Sequence, residues 1–562
     1  MRKKTTAASA LPGSASLVKA ERSAVFGLPG RSLFPTLRTL ALQGIKQPIH
    51  SARHALALGG QLGRVLIGNT SPTSPVQDAR FQDPSWRFNP FYRRRLQAYL
   101  ALQKQLNAWV DESSLAADDQ ARARFILAQL GDALAPSNSP LNPLAIKELF
   151  DTGGASLLKG IGHLIDDLQH NGGMPSQVSK QAFEIGRNIA ITPGAVVFRN
   201  ELLELIQYQP MSEKQYATPL LIVPPQINKY YIFDLSVEKS FVQYALKNGL
   251  QVFIISWRNP DARHREWGLS RYVQAIEEAL DVTRAISGSK EAHLMGACAG
   301  GLSIAALQGY LQAKRQLHKV ASATYLVSLL DSQIDSSAML FINEQTLKAA
   351  KRRSNQQGVL DGRDLAKVFA WMRPNDLIWN YWINNYLLGK QPPAFDILYW
   401  NNDSTRLPAA LHSDLLDFFK LNPLTHPGGL KVCGKPIDLR KVTVDSFSIA
   451  GVNDHITPWD TVYRSTLLLG GERRFVLSNS GHIQSILNPP GNPKANYLEN
   501  DKLPSDPRAW HFDTQKHDGS WWPDWLGWIQ ARSGEQHEIQ LELGNQSHPP
   551  MEAAPGTYVH VP

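Results

Sequence analysis

From Pro219 onward, short apolar runs alternate with amphipathic helical stretches, and this alternation restricts the possible folds more than any other feature of the chain. The intervening stretches include Ser240–Lys247 and Ser270–Ile286, and the second places Val273, Ile276 and Leu280 on one face. The apolar runs are 220–223, 252–257, 293–295, 323–330, 447–450 and 475–477. Strands that alternate with helices predict a mostly parallel sheet covered by helices on both faces.

The chain before Pro219 does not show this alternation and is mainly helical in pattern. Apolar residues between 33 and 67 recur at helical spacing, and Pro48 predicts two helices there because proline interrupts a helix. Asn89-Pro90 and Asn142-Pro143 each open a further periodic stretch. We therefore predict a disordered basic tail over residues 1–30, a mainly helical N-terminal domain over 31–212, an α/β domain over 213–545 and a loose tail over 546–562.

One interval breaks the alternation of strands and helices. Residues from about 332 to 430 are helical in pattern and rich in aromatic side chains, among them Trp379, Tyr381, Trp382, Tyr386, Tyr399 and Trp400. An insertion between two sheet strands predicts a cap over the active face, and caps commonly exclude water from a site. A purely structural insertion or an oligomer interface is the alternative.

The segment Gly296-Ala297-Cys298-Ala299-Gly300-Gly301 follows a short strand and precedes a helical run. This strand–turn–helix context is typical of a nucleophile elbow, in which glycines let the sharp turn pack against its neighbours. The following helix offers free N–H groups, which favour a thiolate and an oxyanion. Cys298 is therefore the predicted nucleophile, and a small buried residue at a strand–helix junction is the alternative.

Two further residues lie just beyond predicted strands, in the order nucleophile, acid, base that α/β-hydrolases use. Asp454 follows the strand at 447–450, and His482 follows the strand at 475–477. Parallel strands end at one edge of a sheet, so both side chains are expected near Cys298. We predict that His482 is the base and that Asp454 orients it. His455 is a competing base or a contact beyond the triad.

The oxyanion hole is predicted from the same fold. It uses the N–H of the residue after the nucleophile, Ala299, and one N–H from the loop after the first core strand. That loop is 224–229, and the candidates in it are Ile227 and Asn228. The predicted fold class is thus α/β, with an α/β-hydrolase core, a helical cap insertion and a preceding helical domain.

Composition limits the setting and the cofactors. The chain has two cysteines, which fits a reduced cytoplasmic environment better than a secreted one, and neither a signal peptide nor a membrane-spanning run is evident. His50 and His54 are spaced for one helix face, but no acidic or cysteine ligand accompanies them in the sequence, so no metal is predicted. Nucleotide-binding fingerprints are also missing, and no cofactor is predicted.

Charge is concentrated at the N-terminus. Residues 1–70 hold ten Lys or Arg and one Glu, a sum of +9 that equals the net charge of the whole chain. A basic arm on a neutral body indicates contact with an anionic surface, which leaves open lipid, nucleic acid or an acidic partner. A solvated tail is the alternative.

Several long segments resemble the polyhydroxyalkanoate synthases, most closely the class II, medium-chain-length group of pseudomonads. The resemblance covers about residues 30–562, and the matching segments are FQDPSWRFNPFY at 81–92, PPQINKYYIFD at 224–234, SWRNPD at 256–261, the elbow at 296–301, RPNDLIWNY at 373–381, NDHITP at 453–458 and GHIQSILNPP at 481–490. The resemblance implies a catalytic Cys, Asp and His, which fall on Cys298, Asp454 and His482. It also implies an (R)-3-hydroxyacyl-CoA substrate, release of CoA, a growing polyester chain, a homodimer and cytoplasmic location on the surface of polyester granules. The basic N-terminus is then expected to dock on the granule surface or on granule-coat proteins, and no nucleic-acid partner is expected.

Residue patterns alone leave two other functions open. A Cys-dependent acyl-CoA thioesterase or lactone hydrolase would use the same triad, because the triad does not decide whether water or a hydroxyl accepts the acyl group. A non-catalytic granule-coat protein on a hydrolase fold is the third reading, and the complete triad argues against it.

Overall fold

The computed structural model describes residues 30–68, 78–334 and 344–562 of the chain. The predicted disorder of residues 1–30 therefore lies almost entirely outside the described residues. The chain divides into two compact units: Met1–Gln177 with Ala366–Pro392, and Val178–Leu365 with Pro393–Pro562. Among the described residues, no helix is both long enough and apolar enough to cross a membrane.

Helices make up most of the first unit. In chain order they are α1 (Gly30–Lys46), α2 (Pro48–Leu66), α3 (Ser85–Phe88), α4 (Pro90–Asp111), α5 (Ala117–Ala133), α6 (Pro143–Asp151) and α7 (Ala155–His170). The predicted break is confirmed, with Pro48 at the start of α2. The side-chain oxygens of Asn89 and Asn142 accept hydrogen bonds from the N–H groups of Phe91 and Leu144 and so cap α4 and α6.

The later helices are α8 (Phe241–Lys247), α9 (Leu269–Ser287), α10 (Ala299–Ala313), α11 (Glu344–Gln357), α12 (Gly362–Met372), α13 (Asp396–Asn402), α14 (Ala409–Leu421), α15 (Trp459–Thr466), α16 (His482–Ile486), α17 (Pro507–Phe512) and α18 (Trp522–Gln530). The strands are β1 (Gly194–Arg199), β2 (Leu203–Tyr208), β3 (Lys214–Tyr216), β4 (Leu220–Val223), β5 (Val252–Trp257), β6 (Ala292–Ala297), β7 (Val320–Leu326), β8 (Val359–Leu360), β9 (Leu407–Pro408), β10 (Lys431–Val432), β11 (Lys435–Pro436), β12 (Asp445–Gly451), β13 (Arg473–Ser478), β14 (Asn496–Glu499), β15 (Gln515–Asp518) and β16 (Gln536–Glu538).

A ten-stranded sheet forms the centre of the second unit, in the order β1-β2-β5-β4-β6-β7-β12-β13-β14-β15. The six central strands, β5 to β13 in that order, are parallel, and each of the two outer strands on either side pairs antiparallel with its inner neighbour. The mostly parallel sheet predicted from the alternating pattern is confirmed.

Both faces of the sheet are buried, as continuous apolar strands require. Along β4, Leu221 belongs to the core on one face, together with residues of α9 and α10. Ile222 belongs to the core on the other face, together with residues of α8 and α18. Four of the tryptophans near the C-terminus are fully buried, namely Trp510, Trp521, Trp522 and Trp525.

The predicted cap is divided between the two units. Residues 366–392 group with the N-terminal helices, and residues 393–430 group with the sheet. The reason is long-range packing within the first unit: Trp382 Nε1 donates to the Asn138 carbonyl at 3.0 Å, and the Tyr386 hydroxyl donates to Asp167 at 2.8 Å. Gly160 admits the Tyr386 backbone, since a Cβ at Gly160 would lie 1.9 Å from the Tyr386 oxygen.

The C-terminal segment is packed rather than loose, contrary to the prediction for residues 546–562. Tyr558 and Val559 are buried, and the Glu552 carbonyl accepts a hydrogen bond from the N–H of Val196 in β1 at 2.8 Å. The carboxylate of Glu204, fully buried in β2, accepts bonds from the N–H groups of Thr557 and Tyr558. A buried carboxylate requires such donors, and this requirement is not visible in a polar, proline-rich tail.

Candidate active site

Cys298 occupies the turn between β6 and α10. Its backbone φ is +51°, a left-handed conformation that is rare for residues other than glycine. Close packing also explains two of the neighbouring glycines. A Cβ on Gly296 would lie 2.7 Å from the Gly301 nitrogen, and one on Gly300 would lie 2.2 Å from the Val223 oxygen. The Gly-x-Cys-x-Gly pattern is thus a geometric requirement of the sharp turn.

The order of the strands brings the other predicted residues to the same edge of the sheet. β6 is flanked by β4 and β7, and the Cys298 N–H donates to the Leu326 carbonyl at the end of β7 at 2.9 Å. β12, which precedes Asp454, pairs with β7, and β13, which precedes His482, pairs with β12. Asp454 and His482 therefore follow the carboxyl ends of neighbouring parallel strands, as Cys298 does.

His482 lies between the two other side chains. Its Nδ1 lies 2.6 Å from Asp454 Oδ2, and because a carboxylate only accepts, Nδ1 carries the proton of this bond. The Cys298 thiol is one of the groups that act on the pKa of this ring, and Nε2 is the nitrogen left to face it, since Nδ1 is engaged by Asp454. The imidazole is 8 % exposed, whereas Cys298 is half-buried. The structure thus brings Cys298, His482 and Asp454 together in that order.

Asp454 is held by three donors besides His482. Its Oδ1 accepts from the backbone N–H groups of Ile456 and Thr457, at 2.8 and 2.9 Å. Its Oδ2 accepts from the Thr457 hydroxyl at 2.6 Å, and this hydroxyl also lies 3.2 Å from His482 Nδ1. Sequence reasoning missed Thr457, although an Asp side chain often accepts from backbone N–H groups a few residues further along the chain, as Asp454 does here.

The electrostatics of the pair follow from burial and contact. Burial by itself lowers the pKa of His482, but the Asp454 carboxylate and the hydrogen bonds to Asp454 and Cys298 outweigh it and raise that pKa well above its ordinary value. Burial likewise acts to raise the pKa of Asp454, and the charge of His482 with the bonds from His482 and Thr457 lowers it overall. The arrangement favours an imidazolium beside an ionised carboxylate, which stabilises a neighbouring thiolate.

The predicted oxyanion residues lie next to the elbow. Ala299 is the first residue of α10, where backbone N–H groups have no partner within the helix. Ile227 and Asn228 lie in the loop that follows β4, the strand next to β6. Hydrogen bonds from residues later in the chain hold this loop. The N–H of Thr405 donates to the Ile227 carbonyl at 3.0 Å, and the Thr405 hydroxyl donates to the Gln226 carbonyl at 2.6 Å. Trp400 Nε1 donates to the Lys229 carbonyl at 2.7 Å.

His455 is half-buried beside Asp454, but the imidazole that Asp454 holds is that of His482. Chemically, the site places a thiol, an imidazole and a carboxylate side by side. Such a set transfers an acyl group through a covalent intermediate.

Two family models match the chain. The model described as the N-terminus of poly-beta-hydroxybutyrate polymerase (PhaC) matches residues 77–245, and the model of the alpha/beta hydrolase fold matches residues 219–489. Together they match residues 77–489, which include α3 to α7 and the strands of the large sheet from β1 to β13.

Similar proteins cover nearly the whole chain. The poly(3-hydroxyalkanoate) polymerase 2 of Ectopseudomonas oleovorans is 69% identical over 538 residues, covering 96% of either chain. Polymerase 1 of the same organism is 54% identical over 95% of this chain and 96% of its own. Among solved structures, a monoacylglycerol lipase of Paleococcus ferrophilus aligns at 11% identity and a TM-score of 0.33, over 59% of this chain and 99% of its own.

Proposed function

The chain belongs to the poly(3-hydroxyalkanoate) polymerases, a family of acyltransferases, and we propose that it polymerises (R)-3-hydroxyacyl-CoA by covalent catalysis on Cys298. The observation that supports this role best is the position of His482, which hydrogen-bonds with Asp454 through Nδ1 and whose pKa is raised by the neighbouring Cys298 as well as by Asp454. A thiol acyl carrier suits a thioester substrate, because exchange of one thioester for another changes the bond energy little.

In the first step, the Cys298 sulfur attacks the carbonyl carbon of the acyl-CoA while His482 Nε2 holds the thiol proton. The oxyanion that forms accepts hydrogen bonds from the N–H of Ala299 and from the loop at Ile227 or Asn228. The bond to the CoA sulfur then breaks, and CoA leaves as a thiol with the proton from His482. Asp454 keeps the imidazolium oriented throughout.

In the second step, the 3-hydroxyl of one acyl unit attacks the thioester of another. His482 removes the hydroxyl proton, an ester bond forms, and the Cys298 sulfur leaves and is protonated again. Water at the same position would end the chain by hydrolysis, so exclusion of water favours polymer growth. Fixing of the 224–229 loop by Trp400 and Thr405 is consistent with a site built for an ordered acceptor.

We extend the proposal to medium-chain acyl units and to a homodimer on the surface of polyester granules, because the motifs resemble class II synthases. The first two helices have exposed apolar side chains next to basic residues, an arrangement that suits an anionic or apolar surface. The exposed apolar residues are Leu37, Leu42, Ile45, Ile49 and Leu56. If deletion of residues 1–70 leaves granule association unchanged, this docking role is wrong.

A time course with purified protein and (R)-3-hydroxydecanoyl-CoA, beside Cys298→Ala, tests the proposed reaction. Free CoA and the fate of the acyl group are measured together. CoA release with insoluble polyester, abolished in the variant, is the expected result. CoA release with only free 3-hydroxy acid indicates a thioesterase instead, and full activity of Cys298→Ala would exclude the covalent mechanism.

A further inference from the structure

Away from Cys298, the first unit brings two histidines and a carboxylate together. His50 and His54 lie one turn apart on α2, and Glu112 is the C-cap residue that directly follows α4. One donor atom from each side chain lies within 4.8 Å of the other two. The sequence argued against a metal because no acidic ligand stands near the histidines, and the fold supplies one from 58 residues further along the chain, counted from His54 to Glu112.

The hydrogen bonds of the two imidazoles determine which nitrogens carry protons. His50 Nε2 lies 3.0 Å from the Trp109 carbonyl, and His54 Nδ1 lies 3.1 Å from the side-chain oxygen of Gln105. Both oxygens accept, so these nitrogens donate, and the second nitrogen of each ring keeps its lone pair. This is the arrangement by which carbonyl oxygens orient metal-binding histidines.

His54 gives a second, independent sign of a ligand. The residue is 9 % exposed, and among the described residues its Nε2 has no hydrogen-bond partner. Burial of an unpaired polar nitrogen is costly, so such an atom calls for a partner. The nearest charged oxygen, Glu112 Oε2, lies 3.4 Å away. Two ligands of a tetrahedral zinc, with bonds of about 2.0–2.1 Å, lie roughly 3.3 Å apart, so this spacing suits a shared metal ion.

We propose that His50, His54 and Glu112 bind a divalent transition-metal ion of the zinc class, with water as the fourth ligand. Two imidazoles and a carboxylate are a donor set that suits zinc. Placement at the C-terminal end of α4 helps, because the partial negative charge there favours a cation. The ion joins α2 to the end of α4. Arg53 competes with the ion for the Glu112 carboxylate, because it forms an exposed ion pair with Glu112.

The test uses the full-length chain carrying Cys298→Ala, so that the reactive thiol does not bind the metal. Binding of Zn²⁺ is measured by equilibrium dialysis, and Co²⁺ serves as a spectroscopic probe of tetrahedral geometry. We expect one equivalent in the parent, loss of that equivalent in His54→Ala and Glu112→Gln, and weakening of about 10–100-fold in Gln105→Ala. Arg53→Ala should bind more tightly, because it frees Glu112.

The controls separate a specific site from surface binding and from unfolding. His170→Ala removes an exposed histidine that pairs with Asp166 one turn earlier on α7, and should leave the equivalent in place. Glu112 is half exposed, so Glu112→Gln should fold normally by circular dichroism even where the buried His54 variant does not. The site is refuted if the parent binds no equivalent, if that equivalent survives Glu112→Gln, or if Arg53→Ala fails to bind more tightly.

Discussion

Replacement of Asp454 by Asn tests the proposed roles of Asp454 and His482, because the two oxygens of this carboxylate have different partners. Oδ1 faces two backbone N–H groups, of Ile456 and Thr457, and these only donate. An Asn side chain must therefore keep its oxygen on that side and turn its NH₂ toward His482. The NH₂ donates to Nδ1, the ring proton moves to Nε2, and Nε2 no longer accepts the proton of Cys298.

The loss expected for Asp454→Asn follows from two terms. Catalysis requires the tautomer of His482 that carries its proton on Nδ1. In the variant this N–H faces the NH₂ of Asn, so that a buried donor has no acceptor, which costs about 1–3 kcal/mol. Loss of the charge-assisted bond to the imidazolium costs a further ~1.5–3 kcal/mol. Their sum, about 2.5–6 kcal/mol at roughly 1.4 kcal/mol per tenfold, predicts a loss in rate of about 10²–10⁴-fold.

The assay is release of free CoA from (R)-3-hydroxydecanoyl-CoA, with alkylation of Cys298 by iodoacetamide followed by peptide mass mapping. Since His482 is proposed to activate the thiol, alkylation of the variant at a fixed pH should be slower than in the wild type. Asp460→Asn is the matched control, because Asp460 is partly exposed on α15 and pairs with Arg464. Activity of Asp454→Asn within about threefold of wild type, or an unchanged alkylation profile in a folded variant, would refute the reasoning.

Two further predictions address positioning and pH. Thr457→Val removes the 2.6 Å bond to Asp454 with little change of shape, and we expect kcat/KM to fall about tenfold, with recovery in Thr457→Ser. His293 is fully buried between Ser322 and Ser533, and burial together with the charge of Arg532 lowers its pKa to about 3. As the pH falls below about 6.5, this histidine therefore binds a proton in the unfolded chain but not in the folded one. The free energy of unfolding should then drop by roughly 2 kcal/mol between pH 7 and pH 5. Urea unfolding measures this drop, which should be smaller in His293→Asn.

Each of these outcomes has a clear opposite. A Thr457→Val variant as active as wild type would mean that the backbone N–H groups alone hold Asp454. Equal losses in Thr457→Val and Thr457→Ser would assign Thr457 a packing role instead. If His293→Asn loses as much stability as wild type between pH 7 and pH 5, the histidine does not titrate as its burial indicates.

Local signals in the sequence were sufficient for much of the fold. Pro48 and the Asn-Pro pairs mark helix starts because each acts on its own backbone, and the apolar runs mark central strands because both faces of those strands are buried. The elbow could also be predicted, because the glycines that its sharp turn requires all lie within six consecutive residues, 296–301. The order of Cys298, Asp454 and His482 then placed all three at one edge, because parallel strands share the direction of their ends.

Long-range packing accounts for what the sequence did not reveal. The contact of Tyr386 with Gly160 and Asp167, which groups 366–392 with the N-terminal helices, joins segments more than 200 residues apart. The approach of Glu112 to His54 depends on how α2 packs along α4. In each case the partner is chosen by tertiary contacts, and no pattern within a window of the chain encodes it.

The C-terminal segment limits how far the chain can be shortened at that end. Glu204 is fully buried, and Thr557 and Tyr558 supply three of its hydrogen bonds, while Gly556 passes so close that a Cβ there would lie 2.4 Å from its oxygen. A chain cut before Glu552 would leave this carboxylate with Arg199 as its charged partner and open the edge of β1. Removal of residues 552–562 is therefore expected to destabilise the sheet, although it removes none of the predicted catalytic residues.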